Sequence, residues 1–143
     1  MPEATFSHTV DSGATPEAAW KALQNPDTWS SIGPVSSVSN PTFTDDGRLT
    51  GFEWVADVGG KGYRGTAKAG PFVPMQRFTM TLDTSEIAGD VVATITEGNP
   101  STSVTVEITF RTKGMLSAMF FPAIKTALAS GFPKQVEDLV SGI

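Results

Sequence analysis

Hydrophobic and polar residues alternate along most of this chain, whereas a helical spacing of apolar residues is clearest near its end. From Gly114 to Ile143, apolar side chains recur at intervals of three and four residues, which places them on one face of an α-helix. The segment from Val35 to Thr112 instead contains several runs with a period of two, typical of strands with one apolar face. The pattern therefore predicts a long helix lying on an antiparallel sheet.

Shorter elements are predicted before residue 35. Residues 4–11 alternate as a half-buried strand does, and the apolar face of that strand carries the single histidine of the chain, His8. A helix is predicted to begin after Thr15, a favourable N-cap that is followed by proline, and to reach Gln24. Residues 27–32 can form a second short helical turn, because the Asn-Pro-Asp sequence before them ends the first helix.

Six further strands are predicted between residues 35 and 112. The first, Val35–Phe43, is polar and weakly patterned, as expected of an edge strand. Gly59-Gly60 is a suitable hairpin centre between the next two strands. Residues 60–65 also match the G-x-G-x-x-G pattern of dinucleotide sites, but they lie between two alternating strands and open no helix. The hairpin is therefore the preferred interpretation of these glycines.

Two prolines, Pro122 and Pro133, fall inside the predicted last helix. Each removes a backbone donor and crowds the preceding turn, so the helix is predicted either to restart near Pro122 or to bend near residues 131–133. The resulting order is a strand, two short helices, six strands and a long helix. This is an α+β layout, and its length suits one domain spanning residues 1–143.

Composition excludes several classes of function. Fifteen acidic and ten basic residues give a formal net charge of −5, and no stretch gathers the Lys and Arg that nucleic acid requires. The chain has no cysteine and one histidine, so disulfides, thiolate sites and histidine-rich zinc sites are excluded, and neither a metal nor a cofactor is predicted. The N-terminus lacks a signal-peptide pattern and no apolar run could span a bilayer, so we expect a cytoplasmic protein without integral membrane association.

Two segments resemble the polyketide cyclase/dehydrase-like branch of the START/Bet v 1 (SRPBCC) superfamily: TPEAAWKALQNPDTW after the first strand, and KGMLSAMFFPAIKTALASGF at the start of the last helix. Trp29, shortly before Gly33-Pro34-Val35, adds to the likeness, which covers nearly the whole chain. The resemblance implies a helix-grip fold, in which a curved seven-stranded antiparallel sheet wraps around a long C-terminal helix, with two short helices after the first strand. Members include lipid, sterol and polyketide binders, cyclases, aromatases and regulatory proteins, so the resemblance implies an apolar cavity and no particular reaction.

The leading functional hypothesis is a protein that binds a hydrophobic small molecule, such as a lipid, polyketide or aromatic metabolite, between the sheet and the last helix. His8 and the hydroxyl of Tyr63 are the polar groups that could orient it, although a single histidine on an apolar face is more often a core residue. Phe72 and Val73, flanked by prolines, are predicted to form a mobile flap at the entrance. The residues predicted to line the site are His8, Trp54, Tyr63, Phe78, Met80, Phe110, Met119, Phe120, Ile124 and Leu128.

Two alternatives stay open from the sequence. One is an enzyme of the cyclase or aromatase kind that the resemblance suggests, with His8 and Tyr63 transferring protons. The carboxylates give it little support, since most fall in turns or have outward parity, and no catalytic residue is assigned. The other is an interaction protein, such as one half of a bacterial regulatory or toxin–antitoxin pair, whose protein partner is unknown; an exposed apolar patch would favour it.

Overall fold

Seven strands and three helical segments make up the described part of the chain. The structure is a computed structural model that describes residues 3–30, 32, 35–58, 61–98, 102–113, 115–141 and 143, without the side chains at 57, 58, 61, 115–118, 120, 123, 124, 127 and 128. The elements are β1 (Glu3–Ser12), α1 (Pro16–Leu23), a 3₁₀ helix (Pro26–Trp29), β2 (Val35–Phe43), β3 (Leu49–Val58), β4 (Lys61–Ala69), β5 (Arg77–Asp83), β6 (Ile87–Thr96), β7 (Thr102–Thr112) and α2 (Met115–Ser141).

The strands form one curved antiparallel sheet in the order β1-β7-β6-β5-β4-β3-β2. Strand β1 pairs with β7 without interruption over its whole length. The opposite edge, β2, is irregular: its register with β3 shifts around Ser39 and Thr42, where Asn40 has a φ of 50°. Bulges and a proline at an edge hinder pairing with another strand.

Two ends of the sheet can be distinguished from this register. The α1 end holds the start of α1, the β2–β3 hairpin and the β4–β5 loop, residues 70–76. The α2 end holds the β5–β6 turn, residues 84–86, and the first residues of α2. The two ends carry different sets of side chains.

Local capping explains the helices at the α1 end. The Thr15 hydroxyl accepts a hydrogen bond from the N–H of Ala18 (3.1 Å), and the Asn25 side chain accepts one from Asp27 (3.0 Å) at the 3₁₀ helix. The Trp29 indole N–H donates to the carbonyl of Leu23 (3.0 Å) and so joins the two helices.

The inner face of the sheet is apolar and covered by these helices at the α1 end. Trp29 stacks on Phe78 with ring centroids 6.1 Å apart, and Trp20 meets the same ring edge-on. Both Trp29 and Phe78 are fully buried. This part of the inner face is therefore filled by aromatic packing.

Helix α2 is anchored through its C-terminal half. Phe132 and Val136 are fully buried, and the Phe132 ring lies 6.3 Å from Phe6 on β1. No described side chain between residues 115 and 130 is buried, and Met119 is 73% exposed. The described buried contacts of α2 therefore lie in its C-terminal half.

The fold class predicted from the sequence is confirmed, including the seven strands, the edge position of β2 and the two short helices. The β3–β4 hairpin is confirmed by the pairing of Val58 with Lys61, although Gly59 and Gly60 lie outside the described residues. A restart of the last helix at Pro122 is not observed, since one helix runs through both prolines. Tertiary packing over a long helix can outweigh the hydrogen bonds that proline removes.

Replacing Gly65 by Ala is expected to destabilise the protein by about 1–3 kcal/mol because the new methyl group overpacks the sheet. The added Cβ would lie 2.5 Å from the carbonyl oxygen of Asp83 and 2.8 Å from Cε2 of Trp54. The matched control is Gly13→Ala, where no heavy atom lies within 4 Å, and a change below about 1 kcal/mol is expected. Urea denaturation measures both free energies of unfolding; equal values would contradict the packing at Gly65.

Replacing Phe132 by Ala is expected to cost about 3–5 kcal/mol, because a fully buried ring leaves a cavity between α2 and β1. The control, Met119→Ala, removes an exposed side chain from the same helix and should change stability by less than about 0.5 kcal/mol. Thermal and urea denaturation give the comparison. Similar losses for the two variants would show that the anchor of α2 has been misplaced.

Candidate functional site

Most of the predicted ligand-binding residues with described side chains share the inner face. Trp54, Phe78, Met80 and Phe110 belong to one buried cluster, and Tyr63 lies half-buried on the same face. The four buried side chains pack closely enough that almost no solvent reaches them. A ligand can therefore reach them only if part of their cover moves.

Four residues of α2 are predicted to line the site, and the side chain of one of them, Met119, is described. Met119 faces solvent in this structure and does not join the buried cluster. The side chains of Phe120, Ile124 and Leu128 lie outside the described residues. Their role in the site stays a prediction.

His8 points inward from β1, as its parity predicts, but it contacts α2. Its Nε2 lies 3.5 Å from Oε1 of Glu137, and its side chain is half-buried. His8 and Tyr63 lie on β1 and β4, which are separated by β7, β6 and β5. The structure therefore does not bring these two side chains together as a proton-transfer pair.

A row of inward residues crosses the sheet at the α2 end, and we call it the basal row: Trp54, Gly65, Thr84, Ile87 and Thr112. Register places Trp54 opposite Gly65 and Ile87 opposite Thr112. The N–H of Thr84 donates to the carbonyl of Ile87 (2.8 Å), and Thr84 Cγ2 borders the space above Gly65. The row is therefore continuous from β3 to β7.

The hydroxyl of Thr112 is the distinctive polar group in the basal row. Thr112 is 3% exposed, and its Oγ1 has no hydrogen-bond partner in the described part of the chain. By contrast, the Thr84 hydroxyl accepts from the N–H of Ile87 (2.9 Å), and the Trp54 indole donates to the carbonyl of Thr66 (2.9 Å). A buried polar atom without a partner is uncommon and calls for water or a ligand.

Thr84 and Thr112 are candidate site residues that the sequence analysis does not predict. Thr112 continues the inward alternation of β7 by one step beyond Phe110, so the sequence pattern predicts that its side chain points inward. Thr84 lies in a turn, where alternation gives no direction. Only the pairing of the strands shows that the two threonines lie in one row.

The N-terminal half of α2 begins three residues after Thr112. Its described side chains are exposed or half-buried, whereas the anchor that starts at Phe132 is buried. Among the described side chains, burial on α2 therefore begins at Phe132.

Three open grooves lie on the surface of the described part, with volumes of about 610, 900 and 330 Å³. None is lined by the residues predicted for the apolar site. Among the described residues, no three His, Cys, Asp or Glu side chains are grouped to hold a metal ion. Neither helix of the described part combines the length and hydrophobicity of a bilayer span.

Solved structures with low sequence identity share this architecture over nearly the whole chain. A START superfamily protein from Mycobacterium smegmatis gives a TM-score of 0.71 at 14% identity, covering 96% of this chain and 97% of that one. The Zhui aromatase/cyclase from Streptomyces sp. R1128 gives 0.67 at 14% identity, with 94% and 92% covered. Ara h 8.0201 gives 0.58 at 18% identity, with 99% and 100% covered.

The chain has the helix-grip fold of the START/Bet v 1 superfamily. No protein-family model matches the sequence, and no curated protein matches it at a significant level. Identities of 14–18% establish the helix-grip fold but assign no reaction. The function must therefore be argued from the basal row and its surroundings.

Replacing Thr112 by Val in this helix-grip protein should leave the free energy of unfolding unchanged or raise it by about 1 kcal/mol. The change removes a buried hydroxyl that has no partner in the described residues and keeps the volume of the side chain. Urea denaturation without ligand is the measurement. A loss of more than about 1 kcal/mol would mean that the hydroxyl makes a structural hydrogen bond.

Proposed function

We propose that this protein binds a hydrophobic small molecule, a lipid, polyketide or aromatic metabolite, on the inner face of the sheet at the α2 end. The basal row forms the floor of the site, and the N-terminal half of α2 forms its cover. Ligand sites of this kind are mostly apolar, with a small number of polar groups that fix orientation.

The buried hydroxyl of Thr112, which has no hydrogen-bond partner among the described residues, is the observation that carries this proposal. It lies two residues after Phe110 on the same face of β7 and opposite Ile87 across the strands. A hydroxyl both donates and accepts, so it suits a ligand carbonyl or hydroxyl. The expected ligand is therefore an apolar molecule with one oxygen near the end that enters first.

Binding requires the cover to move, because Trp54 and Phe110 are closed to solvent. We assign this movement to the N-terminal half of α2, which follows the basal row directly in sequence. The anchor from Phe132 to Val140 can remain on β1 while the cover is displaced. Such local opening involves the least stable part of an element.

The fold supports the same class of function. The solved structures that share it include one named as a START superfamily protein and one named as an aromatase/cyclase. By analogy with these names, an apolar ligand is the expected cargo, and its chemical identity is decided by the shape of the opened site.

An enzymatic role of the cyclase or aromatase type is the second candidate, and one observation favours it. Glu86 in the β5–β6 turn has a carboxylate oxygen shielded from solvent, and it lies between Thr84 and Ile87 of the basal row. This group is better placed than His8 to exchange a proton with a ligand at the α2 end. Turnover of a polyketide-like substrate that is lost in Glu86→Gln, with binding retained, would establish the enzyme.

Ligand binding can be followed by NMR through the indole N–H signals of the tryptophans. Titration with fatty acids, flavonoids and polyketide-like aromatics should shift the Trp54 signal, because its ring borders the basal row. Trp29 is the internal control, since it stacks on Phe78 under the helices at the α1 end. No shift of Trp54 with any member of the apolar library would refute the proposal.

The Thr112→Val variant tests the hydrogen bond to the ligand. Loss of one neutral hydrogen bond of about 1 kcal/mol should weaken the affinity for an oxygen-bearing ligand about fivefold. Thr102→Val is the matched control, because Thr102 is also buried and inward on β7 but lies at its other end. Equal affinities for Thr112→Val and the unchanged protein would place the ligand elsewhere.

A further inference from the structure

Exposed apolar side chains are concentrated at the α1 end. Of the five large apolar side chains that are exposed in the described part of the chain, four lie there, and the fifth is Met119 on α2. The four, which are 37% to 48% exposed, are Phe43, Phe72, Val73 and Met75. An apolar patch of this kind at one end of a molecule indicates an interaction surface.

The β4–β5 loop presents part of this patch on a rigid turn. The N–H of Gln76 donates to the carbonyl of Val73 (3.0 Å), Pro74 occupies the second position, and Met75 the third with a φ of 61°. This is a type II β-turn, whose third position is normally glycine or asparagine. Methionine is strained there and is also exposed, so folding alone does not explain its presence.

Neighbouring contacts hold the loop in place. The Arg48 guanidinium carbon lies 3.8 Å from the centre of the Phe72 ring, whose other neighbour is Trp20 at 6.2 Å. The N–H of Ile95 donates to the carbonyl of Gln76 (2.7 Å), which fixes the turn to the end of β6. We call the turn held by these contacts the knob; the mobility predicted from the sequence for Phe72 and Val73 stays a prediction. A rigid surface loses little conformational entropy on binding.

A groove of about 900 Å³ lies directly beside the turn. The turn forms one wall, the start of α1 the second, and residues 94–97 at the end of β6 the third. A knob and a groove thus occur side by side on one surface. A two-fold symmetric contact needs this arrangement, because each copy must offer both complementary features.

The charges of the groove are also self-complementary. Arg77 lines it together with Glu17 and Glu97, and none of the three forms an ion pair within the described part of the chain. In a two-fold contact, Arg77 of one copy can approach an acid of the other. Opposite charges facing each other at an interface favour the correct partner.

We propose that the α1 end is a dimer interface in which the Val73–Gln76 turn of each copy enters the groove of the other. This inference is independent of the proposed ligand site, which lies at the opposite end of the sheet. A standard interface buries about 800 Å² per partner, about a tenth of the 7467 Å² surface of this chain.

Sedimentation equilibrium from micromolar to millimolar concentration tests the proposal. The unchanged protein should reach twice the 15.1 kDa mass of the chain. Met75→Gly removes the knob and relieves the strain at positive φ, so it should raise the dimer dissociation constant at least about tenfold without lowering the melting temperature. Met119→Asp, which alters the exposed methionine outside the patch, should leave the dissociation constant unchanged.

Charge reversal supplies a second test. Arg77→Glu should weaken the dimer by placing a third acid in each groove, and the double variant Arg77→Glu with Glu97→Arg should restore at least part of the affinity. A protein that remains monomeric at all concentrations overturns the proposal. So does a dimer that is insensitive to Met75→Gly and Arg77→Glu, or a monomer that binds phosphatidylcholine vesicles through Met75.

Discussion

The packing of the C-terminal half of α2 against β1 is the contact on which the rest of the molecule depends. Phe132 and Val136 are fully buried there, and the ring of Phe132 meets Phe6 on the edge strand. Because this anchor lies near the end of the helix, it fixes the direction of α2 and leaves the N-terminal half without a buried described side chain. The same contact explains why His8 faces Glu137 on α2 and lies away from the basal row.

The two ends of the sheet acquire different chemistry from the way their inner faces are covered. At the α1 end, Trp29 stacked on Phe78 fills the space above the strands. The loops there are therefore left to contact a partner through their outer surface. At the α2 end, the inner face carries the basal row, with a buried hydroxyl at Thr112 that lacks a partner in the described residues. A ligand at one end and a second copy of the chain at the other are therefore compatible roles for one small protein.

The sequence predicted the apolar face better than it predicted the site. Parity correctly placed Trp54, Phe110 and Tyr63 on the inner face, because alternation along a strand fixes side-chain direction. Parity gives no position across the sheet. It therefore allows His8 and Tyr63 as a pair of polar groups in one site, although three strands separate them in the structure. The sequence does not single out Thr112, because a threonine at a strand end is normally solvated. The burial of its hydroxyl without a partner among the described residues depends on neighbours that are distant in sequence.

The sequence by itself determined the strands, the capped short helices and the amphipathic character of the last helix, since each is encoded by spacing and local hydrogen bonds. Tertiary structure alone decided the alignment that joins Trp54 to Thr112 in one row, because register depends on pairing between distant segments. It also decided that Met119 faces solvent while Phe132 is buried, since periodicity groups both residues on one helix face without stating which of them the sheet covers.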